Sequence, residues 1–299
     1  MRLPPPLSVG ARVALVAPAG PLRGEQEVQA AISHATSLGW EPVVAPHALS
    51  RYGYLAGTDD ERARDFNAAL RDDGVDGIWC LRGGYGAMRI LDALDYDAMR
   101  RNPRPLLGYS DITAFHCAVN VRCGVITYHG PTARGALTEF ARDSLVRAIV
   151  QQVDPCGAAP GARTLRGGRA TGRLVGGNLA LLAALAGTPY APDYTDAILV
   201  LEDVGEATYR IDRMLQQLRL SGALDRVAGI AFGQFTEITD PLDADPCPLR
   251  DVLREIAESA GVPAISGIPL GHISDQWTIP LGARAELDAD ACALHVLPG

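Results

Sequence analysis

Short apolar segments alternate with segments of helical periodicity through the first half of the chain, and this alternation limits the fold more than any other feature. The apolar segments predict strands, and apolar residues that recur every three to four positions predict helices. Strands are predicted at residues 12–17, 42–45, 77–81, 105–107 and 125–128, with helices at 25–38, 59–71, 112–121 and 137–150. Strands separated by helices favour an α/β fold with a doubly wound parallel sheet, whose functional loops lie at the carboxyl ends of the strands.

The segment 156–171 interrupts this pattern and divides the chain. It begins with Cys-Gly-Ala-Ala-Pro-Gly-Ala-Arg, a small-residue stretch that is typical of a linker or an exposed loop. We therefore predict an N-terminal α/β domain at residues 1–155 and a C-terminal α/β domain at residues 172–299. Because the tail after Val262 consists of short β-like segments separated by glycines, the second domain is predicted to be the more β-rich. Its other strands are predicted at 197–201 and 227–232, and its helices at 178–186, 209–220 and 250–260.

Composition excludes several classes of protein. A net charge of −8 without a basic cluster argues against a nucleic-acid partner. No apolar run is long enough to span a bilayer, and residues 1–6 lack the apolar core of a signal peptide. The six cysteines contain no Cys-x-x-Cys pair, and no His/Cys/Asp cluster has metal-ligand spacing. We expect a cytoplasmic protein with reduced thiols, no metal, no cofactor and no membrane partner.

The loop at residues 82–86, Arg-Gly-Gly-Tyr-Gly, follows the third predicted strand. Consecutive glycines permit positive φ angles and let backbone N–H groups approach a ligand closely, as an oxyanion hole requires. A plain tight turn or a phosphate loop is the alternative. Because neither nucleotide-binding glycine motif is present, the phosphate interpretation is the weaker one.

Ser110 lies where a predicted strand, ending in Gly108 and Tyr109, meets a predicted helix. A tight turn there lifts the serine Oγ clear of the sheet, and the unpaired N–H groups of the first helical turn stabilise an anion beside it. Serine is also a preferred helix N-cap, and Ile112 occupies the position of the second glycine in the Gly-x-Ser-x-Gly pattern. A nucleophile and a simple cap therefore both fit these residues.

An acidic pair, Glu202 and Asp203, ends the predicted strand at 197–201. Carboxylates in that place are costly to bury unless they face a cleft or have partners. Glu202 fits the carboxylate that orients a histidine in a Ser-His-Asp/Glu triad. A structural ion pair with Arg210 or Arg213 is the alternative.

Two of the six histidines, His129 and His272, follow apolar segments and precede turn residues, where a base reaches a cleft. Spacing alone does not distinguish between them. Structural, surface or solvated positions are expected for the remaining four: His34, His47, His116 and His295.

Together these motifs resemble the LD-carboxypeptidase family of serine peptidases, which includes muropeptide carboxypeptidases and microcin C self-immunity hydrolases. The resemblance is carried by four segments, and it extends over nearly the whole chain. The segments are 83–86 (Gly-Gly-Tyr-Gly), 108–111 (Gly-Tyr-Ser-Asp), 201–203 (Leu-Glu-Asp) and 271–272 (Gly-His).

The resemblance implies a catalytic triad of Ser110, Glu202 and His272 at the interface between the two domains. It thereby favours His272 over His129 as the base, and it leaves His129 a structural or substrate-lining role. The pattern around Ser110, without a second glycine, is the pattern of the family itself.

For the remaining site residues, the resemblance implies an oxyanion hole built from the backbone N–H groups of Asp111 and of Gly83 or Gly84. A carboxypeptidase has to recognise a free carboxylate, for which arginine is suited. Arg82 is the candidate for that contact, and Tyr85 is a second candidate for substrate binding.

The activity that the resemblance implies is release of the terminal D-alanine from murein tetrapeptides, in which it follows the L-centre of meso-diaminopimelate or lysine. The family also implies a homodimer. One alternative is hydrolysis of aminoacyl-nucleotide antibiotics of the microcin C type, although the loop at residues 157–169 is short and has no aromatic residue to stack on a base. Another is a non-catalytic module that binds a small metabolite, in which the three triad side chains would not converge.

Overall fold

A computed structural model describes residues 1–240 and 248–298, and it confirms the mixed α/β class. Two β-sheets form the centre of the molecule, and helices pack on them. None of the helices in the described parts of the chain is long and apolar enough to cross a membrane.

The first sheet is parallel except at one edge. Its strands are β1 (Arg12–Val16), β2 (Glu41–Val44), β3 (Gly77–Cys80), β4 (Leu106–Gly108), β5 (Thr127–His129) and β12 (Ile279–Leu281). They lie in the order β12-β5-β4-β3-β1-β2. The first five strands pair in parallel, as the alternation of strands and helices predicts. The edge strand β12 comes from the far end of the chain and pairs antiparallel with β5.

The second sheet is mixed. Its strands are β6 (Gly157–Ala158), β7 (Arg163–Arg166), β8 (Arg169–Asn178), β9 (Ala197–Val204), β10 (Gly229–Thr236), β11 (Ala264–Ser266), β13 (Arg284–Asp288) and β14 (Ala293–Val296). They lie in the order β6-β14-β13-β8-β9-β10-β11-β7. The central strands β8 to β11 are parallel and the outer pairings are antiparallel.

The helices lie where the sequence periodicity predicts them, although several are shorter than predicted. They are α1 (Glu25–Ser37), α2 (Asp59–Arg71), α3 (Tyr96–Arg101), α4 (Thr113–Cys123), α5 (Glu139–Leu145), α6 (Leu179–Leu185), α7 (Thr208–Leu220) and α8 (Leu249–Ala260). A 3-10 helix spans Ala87–Ala93, a single 3-10 turn spans Ser110–Ile112, and a π-helical segment, Val146–Gln151, continues α5. Thr58 begins α2 with a capping box to Glu61, which satisfies two backbone donors at once.

The core explains why the strands of the first sheet are apolar on both faces. Val13 and Leu15 belong to the buried cluster on one side of the sheet, whereas Ala14 and Val16 belong to the cluster on the other side. Parallel sheets covered by helices on both faces have this pattern. The second of these clusters continues through α4 and α6 to β9, so the two halves share apolar packing.

Two expectations about the second half are wrong. The predicted linker at 156–171 contains β6, β7 and the start of β8. The first two are short edge strands of the second sheet, and their lengths are too small for an alternating pattern to appear. The tail is also not confined to the second sheet, because β12 completes the first one.

The cysteines in the described residues form no disulfide bonds in this structure. They are Cys80, Cys117, Cys123, Cys156 and Cys292. Cys247, the sixth, lies outside the described residues.

Gly176 in β8 is a position where the fold depends on the absence of a side chain. Its φ is +141°, and a Cβ there would lie 1.9 Å from the carbonyl oxygen of Val200 on the neighbouring strand. We expect Gly176→Ala to lower the free energy of unfolding by about 3 kcal/mol, because overpacking and positive-φ strain add. Urea unfolding followed by circular dichroism measures the loss. Gly187→Ala is the matched control, since Gly187 has a φ of +80° and no atom within 4 Å of such a Cβ. Equal losses in the two variants would contradict the role of the clash.

Candidate active site

Ser110 occupies a strained turn between β4 and α4. Its φ is +66°, in the left-handed region that residues other than glycine rarely adopt. Tyr109 before it is extended, and the 3-10 turn follows at once. Such a conformation costs about 1–3 kcal/mol and persists only where the surrounding structure imposes it. The turn lies at the carboxyl end of a parallel strand, where functional groups of such sheets occur.

The glycine-rich loop 82–86 packs directly against this turn. A Cβ on Gly83 would lie 2.8 Å from the Cβ of Ser110, so the close approach requires glycine. The carbonyl oxygen of Gly83 accepts a hydrogen bond of 2.9 Å from the N–H of Gly20. Because the C=O and N–H of a trans peptide point in opposite directions, the N–H of Gly84 points away from Gly20.

The buried carboxyl group of Asp111 connects the serine turn to the far end of the glycine loop. Its Oδ2 accepts a hydrogen bond of 2.7 Å from the N–H of Ala87, and the residue is 2% exposed. Burial raises the pKa of Asp111 to about 6, although the bond from Ala87 and the charge of Arg62 act in the opposite direction. This hydrogen bond links the glycine-rich loop to the serine turn.

The raised pKa of Asp111 predicts a pH-dependent stability difference. The ordinary pKa is 3.8 and the folded-state pKa is about 6, so ionisation of Asp111 costs stability as the pH rises between these values. Asp111→Asn keeps an acceptor for Ala87 but does not ionise. We expect the free energy of unfolding of the variant to equal that of the wild type at about pH 4. Above about pH 6 it should be higher than that of the wild type by on the order of 2 kcal/mol.

Urea unfolding at about pH 4 and about pH 7.5 measures this difference for Asp111→Asn. Asp60→Asn, at a 77% exposed side chain on α2, is the control. A stability difference between Asp111→Asn and wild type that is the same at both pH values would contradict the prediction.

The imidazole of His272 joins the two halves of the site. Its Nε2 lies 3.1 Å from the Oγ of Ser110, and its Nδ1 lies 2.8 Å from the Oε2 of Glu202. With the proton on Nδ1 donated to the carboxylate, Nε2 is free to accept the proton of the serine hydroxyl. The three side chains therefore converge, and this contradicts the non-catalytic module, for which they would lie apart.

Glu202 lies within β9 and is fully buried. Gly271 allows the His272 loop to reach it, because a Cβ on Gly271 would lie 3.0 Å from the Oε2 of Glu202. The alternative ion pairs with Glu202 do not form. Arg210 pairs instead with Glu206 at 3.6 Å, and the guanidinium of Arg213 lies over the ring of the neighbouring Tyr209.

A set of contacts that the sequence did not reveal holds the second sheet against the helix after Ser110. The N–H of Asn178 donates to the Oγ1 of Thr113 at 3.0 Å, and the Nδ2 of Asn178 donates to Asp203 at 2.9 Å. A Cβ on Gly177 would lie 2.5 Å from the same threonine oxygen. These bonds place β9, and with it Glu202, at a defined position relative to Ser110.

A cleft of about 260 Å³ opens beside the imidazole of His272. Its lining comes from both halves of the chain: Tyr109, Pro131, Thr132, Gly135, Ala136, His272, Ile273, Ser274 and Gln276. The ring of Tyr109 lies 4.9 Å from that of His272, measured between centroids. A volume below roughly 300 Å³ suits one small group rather than a large ligand.

His129 makes no hydrogen bond with Ser110, because neither of its ring nitrogens has a partner among the described residues. It is fully buried in β5, where its ring lies 6.0 Å from that of Tyr109 and 6.2 Å from that of His116. Burial lowers the pKa of His129 well below its usual value, with smaller contributions from the charges of His116 and His272. Burial likewise lowers the pKa of His116 to about 4. Both are therefore neutral residues of the interior at physiological pH.

The two predicted substrate-binding residues, Arg82 and Tyr85, belong to the glycine-rich loop 82–86. Arg82 is half-buried and donates a hydrogen bond to the carbonyl of Pro21. Tyr85 is 53% exposed and packs edge-on against Tyr54, with ring centroids 5.6 Å apart. Within residues 1–240 and 248–298, no group of three or more His, Cys, Asp or Glu side chains is arranged to hold a metal ion.

Several known proteins are similar to this chain in sequence. Similar curated proteins include a candidate carboxypeptidase of Streptomyces coelicolor, 44% identical over 97% of this chain and 94% of that protein. The murein tetrapeptide carboxypeptidase of Pseudomonas aeruginosa is 34% identical and covers 94% of each chain. The microcin C7 self-immunity protein of Escherichia coli is 27% identical over 79% of this chain and 78% of its own length.

Among solved structures, muramoyltetrapeptide carboxypeptidase from Oxalobacter formigenes superposes with a TM-score of 0.86 at 29% identity. The superposition covers 96% of this chain and 98% of that chain. The LD-carboxypeptidase N-terminal domain model matches residues 13–130, and the C-terminal domain model matches residues 171–287. With two domain models matched in order and relatives similar over nearly their whole length, the chain belongs to the LD-carboxypeptidase family.

Proposed function

We propose that the protein is a serine carboxypeptidase that hydrolyses the L-to-D amide bond and so releases the terminal D-alanine of murein tetrapeptides. The observation that carries the proposal is the hydrogen-bonded series from Ser110 through His272 to Glu202, with distances of 3.1 and 2.8 Å. The similarity to the murein tetrapeptide carboxypeptidase of Pseudomonas aeruginosa supports the choice of substrate.

In the proposed mechanism, the Oγ of Ser110 attacks the carbonyl carbon of the scissile amide while Nε2 of His272 takes the hydroxyl proton. Glu202 holds the imidazole in the required tautomer and stabilises the cation that forms. His272 then gives the proton to the departing amine of D-alanine, which leaves an ester on Ser110. A water molecule, deprotonated by the same imidazole, hydrolyses that ester and restores the serine.

The developing oxyanion needs hydrogen-bond donors beside Ser110. The N–H of Asp111 follows the nucleophile directly, and the peptide orientation set by Gly20 turns the N–H of Gly84 away from the neighbouring loop. The contribution of Gly83 is that it has no side chain, so that the loop can approach Ser110 closely. We therefore assign Gly84 and Asp111 as the donors. Each such donor contributes roughly 3–4 kcal/mol to transition-state stabilisation in serine hydrolases.

The direct test incubates the wild-type protein with a tetrapeptide that ends in meso-diaminopimelate or lysine followed by D-alanine. Free D-alanine is measured with time, and the same peptide ending in L-alanine is the control. Release of D-alanine from the first peptide only is the expected result. A folded protein that releases none would refute the proposal.

A second candidate function is hydrolysis of aminoacyl-nucleotide antibiotics, which the similarity to the Escherichia coli self-immunity protein supports. The lower identity and coverage of that relative make it the weaker candidate. An aminoacyl-sulfamoyl-adenosine in a parallel assay, followed by mass spectrometry, separates the two. Cleavage of this compound without release of D-alanine would favour the second function.

We also propose that the enzyme works in the cytoplasm as a homodimer. The free thiols at the described cysteines support a reducing compartment, and the family resemblance supports the dimer. Light scattering at several protein concentrations tests the assembly, and a mass of one chain throughout would contradict it.

A further inference from the structure

The side chain of Arg62 lies inside the protein beside the glycine-rich loop, and the mechanism leaves it without a role. Arg62 is on α2, and its side chain has no exposed surface. Its Nη1 donates to the carbonyl oxygen of Gly86 at 2.9 Å and to that of Pro18 at 2.5 Å. One guanidinium nitrogen therefore joins the last residue of the glycine-rich loop to the segment that follows β1.

The two segments that Arg62 joins are the ones that set the orientation of the Gly83–Gly84 peptide. Gly20, two residues after Pro18, donates its N–H to the carbonyl oxygen of Gly83 at 2.9 Å. Because a peptide unit is planar, this hydrogen bond also sets the direction of the next N–H. The end of the glycine-rich loop lies only two residues further along the chain. Arg62 therefore contacts the chain on both sides of the bond that orients the proposed oxyanion donor.

Gly86 provides the space that this guanidinium needs. A Cβ there would lie 2.8 Å from the Nη1 of Arg62. The Nη2 of Arg62 donates to the carboxylate of Asp59, which also accepts a hydrogen bond of 2.7 Å from Arg89 on the 3-10 helix after the loop. Because Asp59 balances its charge, Arg62 can stay buried while its rigid, directed N–H groups hold the two carbonyls.

We propose that Arg62 is a positioning residue for the oxyanion hole, which holds the glycine-rich loop so that the N–H of Gly84 meets the developing oxyanion. This inference rests on the proposed function and adds the residue that orients one of its donors. A donor stabilises the transition state only when it lies within about 3 Å of the oxyanion. A small shift of the loop therefore lowers kcat, although Arg62 itself does not touch the substrate.

Arg104 offers a matched control, because it is a second buried arginine that donates to backbone carbonyls. It is 2% exposed, and its Nη1 donates at 2.6 to 2.9 Å to the carbonyls of Ala69, Asp72 and Val75. It precedes β4, at the opposite end of that strand from Ser110. Methionine at either position removes a buried charge and several buried hydrogen bonds. A difference between the two variants therefore depends on where the arginine lies and not on its burial.

The first measurement is the release of D-alanine from the tetrapeptide. Arg62→Met should lower kcat by about 10- to 100-fold and leave KM within about twofold, because oxyanion donors act in the transition state and not in the substrate complex. Arg62→Lys keeps the charge but loses the planar fork, so it should recover part of the rate. Arg104→Met should keep kcat within about twofold of the wild type. The thermal midpoint of each variant checks that it is folded at the assay temperature.

The second measurement needs no peptide, and it separates this inference from the proposed function. With a small alkyl fluorophosphonate, the Oγ of Ser110 forms a bond to phosphorus, fluoride leaves, and His272 takes the hydroxyl proton. The phosphoryl oxygen takes the place of the oxyanion, so the same backbone donors accelerate the reaction. Mass spectrometry of the intact protein measures the rate of modification.

Modification of Ser110 that is at least about tenfold slower in Arg62→Met than in both the wild type and Arg104→Met supports the positioning role, even if the wild type releases no D-alanine. Equal rates of modification in the wild type and Arg62→Met overturn the proposal, whatever the rate of D-alanine release. An equal decrease in Arg62→Met and Arg104→Met also overturns it, because the loss would then follow from burial alone.

Discussion

Ser110→Ala should reduce the release of D-alanine about 10⁴-fold or more, the largest effect expected of any single substitution in the described chain. The variant removes the attacking oxygen, and neither the imidazole nor the oxyanion donors supply another. The hydrogen bond of the Oγ is with His272, another residue of the site. Removal of the Oγ should therefore leave the fold intact. A coupled assay for free D-alanine measures the rate, and the thermal midpoint checks the fold.

Ser33→Ala is the matched control for this substitution. Ser33 lies on α1, where its hydroxyl donates to the carbonyl of Gln29 at 2.9 Å. The Ser33→Ala protein should retain wild-type activity. If Ser110→Ala kept more than about a hundredth of the wild-type rate, a serine nucleophile at this position would be excluded.

Glu202→Gln should lower kcat by about 10³- to 10⁴-fold. The amide has nearly the volume of the carboxylate, so the fully buried site keeps its packing. An amide NH₂ group, however, donates to Nδ1 of His272 and thereby favours the tautomer with the proton on Nε2. That tautomer has no lone pair for the serine proton, and the imidazolium formed during attack loses its counter-charge.

Two further variants sharpen this second prediction. Glu202→Asp keeps the charge at a shorter reach and should recover part of the rate. Glu206→Gln, four residues along the chain, removes a carboxylate that pairs with Arg210 outside the site, and it should be nearly silent. A Glu202→Gln protein within tenfold of the wild-type kcat would show that the carboxylate does not orient the imidazole.

Much of the first sheet could be predicted because its information is local. Buried parallel strands appear in the sequence as apolar runs. In the helices between them, apolar residues recur every three to four positions. The order of these elements then limits the topology, and it places Ser110 at the carboxyl end of β4. Ser110 was ambiguous only because a nucleophile and an N-cap use the same residue type at the same place.

The choice between His129 and His272 was not local, which is why the residues alone left it open. Both follow apolar segments, but pairing of β5 with β4 and β12 buries His129 completely. His272 stands instead on a loop that Gly271 lets approach Glu202. Only the contacts between distant segments distinguish an interior imidazole from one that faces a cleft.

Asn178 was missed for a related reason. An asparagine before an apolar helix is normally its cap. Asn178 does cap α6, and it also donates to Asp203 across the sheet. The contacts of Asn178 with Thr113 and Asp203 come from segments more than twenty residues away, so no short pattern reveals them.

The position of strand β12 in the first sheet determines how the chain can be divided into fragments. Its residues Ile279–Leu281 cover the edge of β5, although about 150 residues separate the two strands in sequence. A fragment that stops at the apparent boundary near residue 155 would therefore expose the backbone donors and acceptors of β5, an arrangement that invites aggregation. Split reporters or chimaeras made from the two halves should include residues 279–281 with the amino-terminal fragment. These residues lie near the end of the chain but belong to the first sheet.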